Sequence, residues 1–87
     1  IMIYKVDFNM EKVRQKLVKA NATGYTNNIA VVFVDAEDPD GACNQGLDEL
    51  KARVLDSYGN AAVIDIVETF DTEVSIKKIR QIKFLPG

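Results

Sequence analysis

The fold is decided by a stretch that begins with the unbroken apolar run Ile29-Ala-Val-Val-Phe-Val34. The acidic turn Asp35-Ala-Glu-Asp-Pro-Asp40 follows, and an amphipathic segment then leads through Tyr58-Gly59 to a second apolar run, Ala61-Ala-Val-Ile-Asp-Ile-Val67. This order predicts a strand, a helix and a strand, which is typical of a small layered α/β domain. Because the first run shows no alternation, we expect both of its faces to be covered, at the centre of the sheet.

The helix within this stretch has a clear start and a clear apolar stripe. Asp38 and Pro39 fit the N-cap and the first helical position, because proline has no amide that the first turn would leave unpaired. The spacing of the apolar residues predicts one buried stripe that includes the single cysteine: Cys43, Leu47, Leu50, Val54 and Tyr58. Gly46 lies inside this helix, where it would allow a close approach to the sheet.

A strand and a helix are predicted before the decisive stretch. Residues 1–8 place Met2, Tyr4, Val6 and Phe8 on one face, the period-two pattern of a strand covered on one side. Asn9 fits as the N-cap of a helix that ends near residue 20. At the other end of the chain, residues 74–85 are predicted to form an irregular edge strand that starts with a helical turn.

These elements predict a small two-layer α/β sandwich of order β-α-β-α-β with a C-terminal edge strand. Connections through helices imply parallel neighbouring strands with right-handed crossovers. An α+β arrangement and a ferredoxin-like fold are the alternatives. The ferredoxin-like fold needs a hairpin between the two helices, and the polar segment 21–28 leaves little room for it.

The bulk composition fits one ordinary globular domain. The chain has 87 residues, 47% of them hydrophobic and 28% charged, with a net charge of −2. A single cysteine allows no internal disulfide and suits a reducing compartment. No stretch approaches the roughly 20 apolar residues that cross a bilayer, and residues 1–20 lack the layout of a signal peptide. We therefore expect a cytoplasmic protein with no membrane partner.

The sequence points away from catalysis. It contains no histidine, which removes imidazole-based nucleophilic catalysis and imidazole metal sites. Cys43 falls on the predicted apolar stripe among acidic neighbours that raise a thiol pKa, so we expect a packed, unreactive thiol. Phosphate-binding glycine motifs are absent, and we expect no cofactor.

Two clusters of charged residues are candidate sites. Asp35, Asp38 and Asp40 could bind Ca²⁺ or Mg²⁺ through oxygen ligands, although helix capping explains the same carboxylates without a metal. A basic set on the first helix and in the C-terminal segment would contact nucleic acid if the fold brought its members together. Its members are Lys12, Lys16, Lys19, Lys77, Lys78, Arg80 and Lys83.

The sequence thus favours a non-enzymatic protein-interaction module, a small regulator, adaptor or inhibitor of a larger protein, either alone or as a homodimer. An exposed sheet edge, in the first strand or the C-terminal one, would serve such binding. Nucleic-acid binding through the basic set is the alternative, and a metal-assisted enzyme built on Asp35 and Asp38 ranks third.

Overall fold

The structure, a computed structural model, describes residues 2–82. Three strands and four helices follow one another in the order β1, α1, β2, α2, α3, α4 and β3. Their bounds are β1 Met2–Asn9, α1 Glu11–Lys19, β2 Ile29–Ala36, α2 Pro39–Tyr58, α3 Ala61–Val67, α4 Phe70–Glu73 and β3 Ser75–Ile82. The predicted two-layer sandwich is confirmed, as an α+β domain in which helices pack against a three-stranded antiparallel sheet.

The strand order is β2-β1-β3, so β1 is the central strand and β2 an edge strand. The prediction that residues 29–34 form the centre of the sheet was therefore wrong. The C-terminal edge strand is confirmed: α4 precedes β3, which pairs with β1 with a register shift beside Asp7 and Phe8. Residues 83–85 of the predicted strand lie outside the described residues.

Both pairs of neighbouring strands are antiparallel, whereas parallel neighbours were predicted. The reason is local to the end of α1, which has nine residues and is followed by Asn21 with a positive φ of 71°. Residues 20–28 then return to the end of β1 at which α1 began. Asn9 faces Ile29 there, and the Met10 amide donates to the Asn28 carbonyl over 2.6 Å.

The predicted strand over residues 61–68 is a helix, α3. Asn60 caps it, since its side-chain oxygen accepts from the Val63 amide over 3.0 Å. Val63 and Val67 are buried one helical turn apart. A short apolar run fits a strand and a buried helix equally well, and here capping and packing select the helix. Only β2 lies between α1 and α2, which also excludes the ferredoxin-like order over residues 2–82.

The core lies between the helices and one face of the sheet. Tyr4, Val6 and Phe8 of β1 project into it, as their alternation predicted. Gly46 lets α2 approach β1 closely, because a Cβ atom built there would lie 3.2 Å from Phe8 Cζ. The buried stripe of α2 consists of Ala42, Gly46, Leu50 and Val54.

The buried stripe of α2 differs from the stripe predicted from the sequence. It is rotated by about one residue at the start of α2, so that Cys43 and Leu47 are only partly buried. None of the four helices in residues 2–82 combines the length and the apolar character needed to span a bilayer.

Candidate functional site at the outer edge of β2

The backbone of β2 directs every second residue away from the rest of the sheet. The Met10 amide donates to the Asn28 carbonyl, which makes these two residues a hydrogen-bonded pair. From there, hydrogen-bonded and non-hydrogen-bonded pairs alternate along the antiparallel register. Even-numbered residues of β2 therefore bond to β1. The amide and carbonyl groups of Ile29, Val31, Phe33 and Asp35 point outward, where residues 2–82 supply no further strand.

This outward edge belongs to an unusually apolar strand. Ile29–Ala36 contains neither lysine, proline nor glycine, and Asp35 is its one charged residue. Edge strands in soluble proteins normally carry charges, prolines or bulges that prevent pairing with other chains. Phe33 is 57% exposed, the most exposed large hydrophobic side chain among the described residues. The β2 edge thus has few of the features by which edge strands avoid pairing.

A groove of about 500 Å³ runs between the second half of β2 and the neighbouring side of α2. It is lined by Phe33, Val34, Asp35, Gln45, Asp48 and Glu49. The strand side offers apolar side chains and outward backbone groups, and the helix side offers carboxylates and an amide. The groove is therefore wide enough for the side chains of an added strand, and its polarity is mixed.

The first half of the edge is partly covered by a side chain of α2. Arg53 Nη1 donates to the Val31 carbonyl over 2.9 Å, which satisfies one outward acceptor. Tyr25 and Tyr58 pack beside it edge to face, with ring centroids 5.9 Å apart. Burial raises the pKa of Tyr25, against the opposing effect of the Arg53 charge. This end of the edge carries a positive charge, and the Asp35 end carries a negative one.

The sheet face opposite the core is open over the described residues. Phe33, Lys5 and Arg80 stand side by side across the three strands, and Asp7 and Lys78 form the next row. Lys5 Nζ lies 4.0 Å from Asp7 Oδ1, a buried oxygen that has no hydrogen-bond partner among residues 2–82. This face mixes apolar, basic and acidic groups.

The predicted basic set is divided between two surfaces. Lys12, Lys16 and Lys19 are exposed on α1, in the helical layer. Lys78 and Arg80 face away from that layer on β3, because they pair with Asp7 and Lys5 of the open sheet face. Lys77 is exposed at the register shift, and Lys83 lies outside the described residues. The fold therefore does not join the basic residues of α1 and β3 into one patch.

The acidic candidates are also spread out. Asp38 is the N-cap of α2, as predicted, and its Oδ1 accepts from the Gly41 amide over 2.7 Å. Asp40 lies in the first turn of α2, and Asp35 lies on β2. Among residues 2–82, no group of three or more cysteine or carboxylate side chains is arranged to hold a metal ion.

Cys43 is partly buried, and the pKa of its thiol is raised, first by burial and second by the Asp40 carboxylate. A raised pKa leaves little thiolate near neutral pH, which makes the thiol a poor nucleophile.

Two residues of the edge were not identified from the sequence: Phe33 and Arg53. The signal for Phe33 was present, since an apolar run without alternation places apolar side chains on both faces of the strand. The sequence contains no signal for Arg53, because this residue lies 22 residues from its acceptor.

Comparisons of this chain with protein-family models, curated proteins and solved structures found no significant match.

Proposed function

We propose that this protein is a non-enzymatic, cytoplasmic protein-interaction module, a small regulator, adaptor or inhibitor. It binds an extended segment of another chain by adding that segment as a strand beside β2. In this mode the main-chain hydrogen bonds provide affinity, and the flanking groove provides selectivity.

The observation that carries the proposal is the mismatch between the composition of β2 and its position. The most continuously apolar strand of the sheet lies at an edge, with its outward backbone groups unpaired by any strand of residues 2–82 and with Phe33 exposed. Of these groups, the Val31 carbonyl accepts from Arg53. An added strand would bond to those backbone groups and cover the Phe33 ring. The lack of histidine, together with the raised pKa of Cys43, favours binding over catalysis.

The test is capture of partners by the immobilised protein and by two proline variants. Val31→Pro removes one outward amide of β2 and no hydrogen bond to β1. Gln81→Pro is the matched control, because the same alternation directs the Gln81 amide away from β1 at the opposite edge. We expect a partner that binds the wild-type protein and Gln81→Pro but not Val31→Pro. Equal capture by both variants, or no capture by the wild-type protein, would contradict the proposal.

Nucleic-acid binding is a second candidate, and the open sheet face is the observation that favours it. Phe33 is available for base stacking beside Lys5 and Arg80, an arrangement suited to single strands. Asp7 and Asp35 on the same face weaken that surface. If the candidate holds, anisotropy of a labelled mixed oligonucleotide rises at low salt, and Arg80→Ala lowers the affinity. An unchanged signal at low salt removes this candidate.

A further inference from the structure

We propose that the strand seated on β2, when no other partner is bound, is β2 of a second copy of this chain. The inference rests on the proposed function, since both use the same outward edge. Two copies related by a twofold axis would form one continuous six-stranded sheet, in which each covers the Phe33 side chain of the other. Such an interface presents the same surface on both chains, as is usual in homodimers.

The backbone alternation restricts how the two strands pair. Outward-pointing residues of one copy must face outward-pointing residues of the other, so the twofold axis can pass through any residue from Val31 to Asp35. An axis at Phe33 places Phe33 opposite Phe33 and Val31 opposite Asp35. An axis at Asp35 would set two carboxylates against each other, and an axis at Val31 would set two Arg53 guanidinium groups against each other. Axes at Val32 and Val34 place Phe33 opposite Val31 and opposite Asp35, and neither brings Asp35 opposite Val31.

Charge complementarity selects the axis at Phe33. The Arg53 guanidinium already lies at the Val31 carbonyl, 2.9 Å from its oxygen. In this register the Asp35 amide of the second copy donates to the same Val31 carbonyl, so the Arg53 guanidinium turns from that oxygen to the arriving Asp35 carboxylate. The symmetry repeats the contact, so each dimer has two such ion pairs, one at either end of the paired strands. Opposite charges at these places fix the register as well as the partner.

The groove beside β2 limits the affinity of the two copies for each other. Glu49 lines it together with Phe33, so the axis brings the Glu49 side chains of the two copies towards one another. Repulsion between these carboxylates opposes association and keeps the dimer reversible. A heterologous strand without a carboxylate at that place therefore competes successfully for the same edge. The dimer protects β2 until such a partner binds.

The test is disulfide trapping in a Cys43→Ser background. Phe33→Cys places two thiols opposite each other with Cα atoms about 5.5 Å apart, within the range that a disulfide spans. Ile64→Cys is the control, because Ile64 is an exposed apolar residue of α3, 42% accessible and away from the β2 edge. Circular dichroism establishes that both variants are folded before mild oxidation.

We expect Phe33→Cys to form a disulfide-linked dimer in high yield and Ile64→Cys to remain monomeric. A mixture of Val31→Cys and Asp35→Cys chains should give the mixed dimer in preference to either homodimer. Equal yields at residues 33 and 64 would overturn the self-pairing. If the proline test succeeds while light scattering finds only monomer, the proposed function stands and this inference fails. Failure of both tests removes the β2 edge as a binding surface.

Discussion

Arg53 of α2 hydrogen-bonds the main-chain carbonyl of Val31 at the outer edge of β2, over 2.9 Å. The contact ties the long helix to the edge strand and places a positive charge two residues before Phe33. Asp35 lies two residues after Phe33. The edge therefore has opposite charges at equal distances from Phe33, which suits pairing with a copy of itself.

Reversal of these two charges tests that arrangement. Arg53→Asp and Asp35→Arg each replace two attractive contacts of the dimer with repulsive ones, and we expect each variant to dimerise about 10- to 30-fold more weakly than the wild type. A mixture of the two variants restores both contacts, because every ion pair then joins opposite charges. Analytical ultracentrifugation of the separate and mixed variants measures this. A mixture no tighter than the separate variants would rule out the Arg53–Asp35 contact.

The close approach of α2 to β1 makes Gly46 sensitive to substitution. A Cβ atom there lies 3.2 Å from Phe8 Cζ and 3.5 Å from Val6 Cγ2, both in the core. We expect Gly46→Val to lower the free energy of unfolding by about 1 to 3 kcal/mol through overpacking. Ala52→Val, at an exposed position of the same helix, is the control and should change it by less than about 1 kcal/mol. Urea denaturation compares the two, and equal effects would disprove the close packing.

The raised pKa of Cys43 predicts slow alkylation. Burial and the Asp40 carboxylate both disfavour the thiolate, so at a fixed pH near 8 the folded protein should react with iodoacetamide more slowly than the unfolded chain. Asp40→Asn removes the second cause, which lowers the pKa and speeds the reaction. The pH dependence of the alkylation rate, followed by mass spectrometry, measures the shift. A folded thiol that reacts as fast as the unfolded one would contradict it.

The local elements that could be predicted from the sequence were those with their own end signals. Asp38 and Pro39 located the start of α2, and the alternation of Tyr4, Val6 and Phe8 identified a strand with one buried face. The apolar pattern of residues 61–68 did not distinguish a strand from a helix, because it suits both. Asn60 was the informative residue there, as the N-cap of α3.

The topology could not be predicted, because it depends on where residues 20–28 return. A nine-residue helix followed by Asn21 in the left-handed region brings the chain back to the end of β1, so β2 pairs antiparallel. The prediction that both faces of β2 are covered was wrong, because Phe33 on the face opposite the core is exposed. Within residues 2–82, β2 has one neighbouring strand, β1, and the free edge of β2 is the basis of the proposed function.

Amide hydrogen exchange along β2, followed by NMR at increasing protein concentration, shows whether the outward edge of β2 is the pairing surface. The inward amides of Val32 and Val34 bond to β1 and should exchange slowly at every concentration. We expect the outward amides of Phe33 and Asp35 to exchange rapidly in dilute solution and to become protected as the copies associate. If Phe33 and Asp35 exchange at unchanged rates over the range in which light scattering detects dimers, β2 is not the surface through which the copies associate.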